Sequence, residues 1–411
     1  MLKKSIKDFK IKGQKVILRV DFNLPINKNG VISNDKRIIE ALPTINYLIK
    51  QGAKIIIISH LGRPKGKFEP SLSLKPVADH LRKLVNTNVF LSPEILGEET
   101  RRLIRLLGEG EILMLENIRF MKEEEENDLE FAKKLALLGD YYCNDAFGTV
   151  HRAHASISGI TNFIPSCCGL LMEKELQMFD KVIVEPKRPY VVILGGAKIK
   201  DKISLLNKLL DKVDKLMIGG AMAYTFLSAQ GKPTGRSLVD ESKIEFAKLL
   251  LEKAKARGVE ILLPIDHIVA KEFSFLASYV TVDTDQFPED GIGMDIGPKT
   301  RKLYTKIIRE AKTIFWNGPM GVFEFKRFAE GTHEIAKAMG SNPSITIVGG
   351  GDSATAIANM EMEKQFTHIS TGGGASLTYL EGTPLPGLVN IEEKGEILGA
   401  RMIINKKEDN E

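Results

Sequence analysis

The chain has 411 residues, 43% hydrophobic, 27% charged and 7% aromatic, with a formal net charge of +5. That length exceeds what one hydrophobic core fills, so two domains of roughly 200 residues are expected. The mild charge suits an anionic small molecule but lacks the dense basic stripe of a nucleic-acid binder, and no run approaches the ~18 apolar residues of a membrane span.

The N-terminal MLKKSIKDFK has no secretory apolar segment, which predicts a cytoplasmic protein. Cys143, Cys167 and Cys168 show no zinc-type spacing and read as buried thiols. In chain order, β-branched runs at 16–20, 55–58, 112–115 and 141–143 alternate with helical patterns at 37–50, 74–84 and 129–138. The stretch KIIIIS at 54–59 is apolar on both faces, as a strand covered by helices on both sides of a parallel sheet requires. Glutamates at 123–126 read as a solvated charge cluster before a helix start at Asn127-Asp128. A helical pattern at 170–179 and the segment EPKRP at 185–189 make a candidate hinge. Strand patterns resume at 190–194, 215–218, 259–263, 313–316, 345–348 and 368–369, and the final KKEDNE reads as a frayed tail. Alternating strands and helices predict an α/β fold with two doubly wound, Rossmann-like parallel-sheet lobes joined by a hinge helix.

Ligands of such sheets bind at the carboxyl ends of the strands. In the first half those ends carry Asp21 and Asn23; His60 and Arg63; Glu116, Asn117 and Arg119; and Asn144, Asp145, His151 and Arg152, with Arg37 opening a helix nearby. Each alone is an ordinary cap or surface residue. Together, cations massed at one edge repel one another unless an anion is bound. Guanidinium forks match phosphate and carboxylate oxygens in pairs, so this half reads as a pocket for a small phosphorylated acid. Asp21 and Asn23 supply acceptors for a ligand hydroxyl inside the ring of donors.

The second half ends its strands in glycine: LGGAKIKDK, IGGAM, WNGPMGVFE, VGGGDSA and STGGGAS. One such junction is ordinary packing, but five point to a polyphosphate or nucleotide held by close backbone approach and helix N-termini. Neither a Walker A loop nor a convincing dinucleotide fingerprint occurs. Lys198 and Lys202, four apart, share a face if helical; they are either a solvated basic face or a phosphate site. Asp352 is either a helix N-terminal residue or a carboxylate for Mg²⁺.

RVDFNLP, SHLGRP, LENIRF, HRAHAS, LGGAKIKDK, WNGPMGVFE, GGGDSA and STGGGAS, in this order across nearly the whole chain, resemble the phosphoglycerate kinase family. The resemblance implies transfer of a phosphoryl group between 1,3-bisphosphoglycerate and ADP, giving 3-phosphoglycerate and ATP. It implies phosphoglycerate contacts at Asp21, Asn23, Arg37, His60, Arg63, Arg119 and Arg152. It assigns nucleotide contacts to Lys202, Gly293, Asn317, Glu324, Gly350, Gly351, Asp352 and Ser353, with Glu324 on the ribose and Asp352 on Mg²⁺. Lys198, Arg37, Gly372, Gly373 and Gly374 would surround the migrating phosphoryl group. The implied domains are 1–169 with 386–411, a hinge helix and linker at 170–188, and a nucleotide lobe at 189–385; a monomer without nucleic-acid or membrane partners is expected. Two other classes fit less well. A nicotinamide-dependent dehydrogenase needs the missing fingerprint, and a non-catalytic polyanion binder leaves the glycine turns, the lysines and Asp352 unused.

Overall fold

Strands apolar on both faces can be buried only between two helical layers. The computed structural model describes residues 3–27, 29–197 and 199–394. Within it, β1 (Lys15–Arg19), β2 (Lys54–Ile58), β3 (Val89–Leu91), β4 (Ile112–Met114), β5 (Tyr141–Asn144) and β6 (Ser166–Cys168) pair in parallel in the order β3-β4-β2-β1-β5-β6. Val16, Leu18, Ile55 and Ile57 join a core on one face, whereas Ile17, Ile56, Ile58 and Leu113 join a second core on the other. Each such side chain contributes about 1.5–3 kcal/mol on burial. The order reverses at β1, which has β2 on one side and β5 on the other, and this puts the binding crevice outside the ends of β1 and β5. Arg19 pairs in register with Asn144 at that mouth.

Further along, β7 (Tyr190–Leu194), β8 (Lys215–Ile218) and β9 (Glu260–Leu262) lead into a departure from the expected pattern. β10 (Asp266–Ala270), β11 (Tyr279–Asp283) and β12 (Ile292–Ile296) form a separate antiparallel sheet in the order β11-β10-β12. The chain then returns through β13 (Thr313–Asn317), β14 (Ile345–Gly349) and β15 (His368–Ile369), completing a parallel sheet ordered β15-β14-β13-β7-β8-β9. Its reversal lies between β7 and β13, where Leu194 is registered with Asn317. Val191, Ile193, Met217 and Trp316 bury one face of it against Tyr304 and Ile335.

The described chain divides into two compact units, with changeovers between Leu176 and Gln177 and between Thr383 and Pro384. The first changeover falls inside the helix Leu170–Ile183, which runs four residues beyond the predicted 170–179. Residues 384–394 belong to the first unit: Lys4 N donates to Glu392 O at 2.7 Å, and Gly387 N donates to Val150 O at 3.0 Å. The tail read as frayed lies outside the described residues. All three cysteines are buried free thiols, as expected. The glutamate cluster needs a correction: Lys122–Glu125 form a helical turn, Glu124 is fully buried, and only Glu125 and Glu126 stand exposed.

Candidate functional site

The end of β1 turns Asp21 into the crevice, where Arg37 Nη1, from the first turn of the helix Lys36–Lys50, donates to Asp21 Oδ1 at 2.8 Å and to Asn23 O at 3.0 Å. His60, just past β2, places Nε2 3.9 Å from the same carboxylate. Gly62 ties the next two together: its N–H donates to Asn23 Oδ1 at 2.9 Å, and its carbonyl accepts from Arg119 Nη1 at 2.9 Å. Arg63 is exposed beside it.

The rim is electrostatically one object. Burial holds the His60 pKa well below its ordinary value, and Arg19, Arg119, Arg37 and Arg152 depress it further. His154 falls to about 4, through burial and then the nearby arginines, and His151 is lowered by burial and Arg152. Its positive charge near neutral pH therefore comes from arginine. Among the described residues, the Nε of Arg119, the Nε of Arg152 and the Nδ1 of His151 are buried without a hydrogen-bond partner. The two guanidinium nitrogens are donors; a buried donor without a hydrogen bond costs about 1–3 kcal/mol, and an anion with several oxygens would supply the acceptors.

Sequence reading passed over the layer behind this rim. Arg19, a charge at the end of an apolar strand, is 1% exposed and reaches Ser156 Oγ and His60, while Glu124 accepts from Ser156. A lone arginine closing an apolar run was the available signal.

In the second unit, the turns after β7 and β13 meet at the sheet's reversal. Gly195 N donates to Asn317 O at 2.9 Å and Gly196 N to Pro319 O at 2.8 Å. A cavity of about 380 Å³ opens beside them, lined by Gly196, Ala197, Gly220, Pro319, Gly293, Glu324 and Asp352, with Leu238, Phe273, Ile292, Met294 and Val322 as its apolar wall. Three of the expected nucleotide contacts, Gly293, Glu324 and Asp352, thus share one cavity. Its Ile292–Ile296 wall is β12, which the sequence pattern did not announce.

The other expected residues sort by what they touch. Lys202 is buried and donates from Nζ to Gly195 O at 2.5 Å. Its α-helix begins at Ile203, after a 3₁₀ turn at Lys200–Lys202; Lys198 lies outside the described residues. Asn317 is buried at the end of β13, and its Nδ2 would lie 2.7 Å from a Cβ on Gly350, whose φ is +92°. Ser353 Oγ accepts from Gly318 N at 2.7 Å, so its first task is to hold that turn. Asp352 is exposed in the first turn of Gly351–Asn359. Gly372 N already donates to Ser370 Oγ at 3.0 Å, leaving Gly373 and Gly374 at the head of Gly374–Leu380.

The glycines divide the same way. A Cβ on Gly195 would lie 2.1 Å from Pro319 O and one on Gly220 2.5 Å from Gly196 N, so these serve packing between turns. A Cβ on Gly351 or Gly373 would meet nothing within 4 Å. The space beside these two is open to a ligand.

Two parallel-sheet units, one with an arginine rim and one with a glycine-turn cavity, define an α/β enzyme of phosphorylated small molecules. Comparison with known proteins makes this specific. The family model for phosphoglycerate kinase matches residues 6–383. The chain is 51% identical over 395 residues to phosphoglycerate kinase of Pseudothermotoga lettingae and 52% identical over 398 to that of Dictyoglomus turgidum, covering 96% of this chain and 100% of each relative. Among solved structures it resembles phosphoglycerate kinase of Coxiella burnetii, with TM-score 0.86 and 39% identity over 95% of this chain and 98% of that one. It also resembles that of Pyrococcus horikoshii, with TM-score 0.79 and 34% identity over 94% and 98%. The chain belongs to the phosphoglycerate kinase family, and its reaction is glycolytic phosphoryl transfer between 1,3-bisphosphoglycerate and ADP. Among the described residues no helix is long and apolar enough to cross a membrane.

Proposed function

We propose that residues 1–169 with 386–411 form the phosphoglycerate-binding lobe and 189–385 the nucleotide lobe, with 170–188 as hinge. Asp21, Asn23, Arg37, His60, Arg63, Arg119 and Arg152 hold the acid. The buried Nε–H groups of Arg152, without a hydrogen-bond partner, and of Arg119, which has only a 3.5 Å ion pair to Glu125 Oε1, carry this reading, because they suit the oxygens that a phosphorylated acid brings. Lys202, Gly293, Asn317, Glu324, Gly350, Gly351, Asp352 and Ser353 hold ADP or ATP, its base against the apolar wall of the cavity and its phosphates toward the glycine turns.

Magnesium fits this donor set. Among the described residues no group of three or more His, Cys, Asp and Glu could cage an ion, whereas two exposed carboxylates, Glu324 and Asp352, line the cavity, and Asp352, in the first turn of Gly351–Asn359, would hold the ion with nucleotide oxygens and water completing its coordination. Bound there, the ion neutralises charge on the nucleotide phosphates.

Transfer is direct and in line. A carboxylate with its pKa near 4 is ionised at pH 7 and needs no general base, so this chain's task is to position and to neutralise charge. Arg37, Lys198 and the turn of Gly372, Gly373 and Gly374 surround the phosphoryl group, the last two offering their amides. With acid and nucleotide on separate units, reaction requires closure about the hinge, which also excludes water from the acyl phosphate. The protein acts as a cytoplasmic monomer.

Calorimetric titration with 3-phosphoglycerate tests the rim. Arg119→Lys and Arg152→Lys, which keep charge but lose the fork, should each weaken binding about tenfold while ADP affinity is unchanged. Native 3-phosphoglycerate affinity retained in both variants would remove the rim from the site.

A further inference from the structure

Arg19 is the last residue of β1 and is buried together with the three side chains beyond it, Ser156, Glu124 and His60. Its guanidinium has only donors to offer. Nε donates to Ser156 Oγ at 2.9 Å, Nη1 to Val20 O, and Nη2 to His60 Nδ1 at 3.2 Å. Nδ1 of His60 must therefore be the lone-pair nitrogen, and the ring proton sits on Nε2, the atom that faces Asp21 at 3.9 Å. That separation is too long for a hydrogen bond, and Asp21 is engaged by Arg37, so the Nε2 proton is not spent on this carboxylate.

The rest of the relay explains why Arg19 points as it does. Ser156 has one hydroxyl proton, which goes to Glu124 Oε1 at 2.7 Å and leaves an oxygen lone pair turned to Arg19. Glu124 Oε2 accepts from Ser156 N at 2.8 Å, and its backbone carbonyl accepts from Ala155 N at 2.9 Å. Every hydrogen of the chain Glu124, Ser156, Arg19, His60 then has one direction only. A neutral imidazole otherwise has two tautomers available. Burial and the surrounding arginines keep His60 neutral, so tautomer choice, not charge, is what remains to be fixed.

We propose that Glu124 and Ser156 are positioning residues for the known reaction: acting through Arg19, they hold His60 as the tautomer that presents an N–H to the phosphorylated acid. This rests on the reading of the first-unit rim as the acid's pocket. The buried carboxylate under an anion site, unfavourable for binding by charge alone, is explained by this orienting task.

The test uses ¹⁵N-resolved NMR of the seven imidazoles in the full chain, with His60→Gln to assign the signal, and steady-state kinetics with 3-phosphoglycerate and ATP. In the native chain His60 should show an unprotonated Nδ1 and a protonated Nε2, and should respond to 3-phosphoglycerate. Ser156→Ala should give mixed tautomers and raise KM for 3-phosphoglycerate about five- to tenfold, the effect of one hydrogen bond, with KM for ATP unchanged. Ser156→Thr, which returns the hydroxyl, should restore both. Glu124→Gln, which reverses the hydrogen bond while keeping the packing, provides a second variant should Ser156→Ala not fold, and should also mix the tautomers. If His60 responds to 3-phosphoglycerate but neither variant moves its tautomer or KM, the relay is wrong and the pocket stands. If His60 in the native chain ignores 3-phosphoglycerate, the pocket reading fails and takes the relay with it.

Discussion

Tyr190 opens β7 with its hydroxyl fully buried and, among the described residues, without a hydrogen-bond partner. Burial alone raises the pKa of that phenol. Tyr190→Phe removes the stranded oxygen and keeps the ring, so it should stabilise the protein by about 1 kcal/mol, a rise of about 2–4 °C in Tm for a unit of this size. Calorimetry reading a lower Tm would mean that the hydroxyl has a partner after all. Gly293 calls for the opposite experiment. A Cβ there would lie 1.7 Å from Tyr224 Oη, and the Tyr224 ring is itself fixed, its hydroxyl lying 3.2 Å from His267 Nδ1. Gly293→Ala should displace that ring in the cavity wall and raise KM for ADP about tenfold, leaving KM for 3-phosphoglycerate alone, as overpacking by one methyl typically costs 1–3 kcal/mol. At this scale sequence reading named Gly293 as a nucleotide contact but could not show that the Tyr224 ring packs against it, because a glycine in a sequence does not say what fills the space beside its backbone. The rim residues were legible because their position after parallel strands fixes where they point; Glu124 was not, since a run of glutamates looks solvated whichever member turns inward.

Strands were legible where apolar, β-branched residues mark them. β2, with four consecutive isoleucines, could not be missed, whereas β6 reads Ser-Cys-Cys with no β-branched residue and β3, at the edge of the sheet, buries only Val89. The antiparallel sheet was hidden differently: β10 is buried along its length, β11 is largely exposed, and β12 is interrupted by Gly293, so none shows the clean period of two. This sheet nevertheless supplies a wall of the cavity beside the glycine turns, and one residue anchors it to the helix Pro298–Glu310. Asp266 accepts from Lys299 N at 2.8 Å and Thr300 N at 2.7 Å, and from Thr300 Oγ1 at 2.6 Å, so a carboxylate from a strand caps a helix that has Gly297 at its own cap position. Asp266→Ala should destabilise the second unit by about 2–3 kcal/mol, the cost of a lost cap plus buried N–H groups left unpaired. Trp316, the single tryptophan, is buried in that unit and reports it directly: its fluorescence transition in urea should move to lower concentration. An unmoved midpoint would show that the cap contributes nothing.

Across the whole molecule, buried titratable groups in both units set how stability follows pH, and they oppose one another. His154 and His267 have pKa values lowered to about 4, chiefly by burial, so the unfolded chain binds their protons first and stability is lost as pH falls from about 6.5 toward 4. Asp145 and Asp295 are raised, again chiefly by burial, to about 6 and about 7. For these the native state holds the proton longer, so their contribution is fully present below about 4 and is lost as pH rises through the folded value. Between about pH 4 and 6.5 the two sets cancel in part; from there to pH 7 the aspartate at the cavity wall acts alone. Asp295 has Gly331 N and Ile296 N donating to it and feels Arg301 and Glu330, yet burial outweighs the donors. Asp295→Asn deletes this one titration. Measured by urea denaturation without nucleotide, the variant should lose something at every pH from its weaker acceptor. Relative to the native chain it should then gain up to roughly 4 kcal/mol between pH 4 and pH 7.5, from a shift of about three pKa units. A stability difference that stays flat across that range would mean that Asp295 is ionised in the folded protein, with the two backbone donors, not burial, deciding its charge.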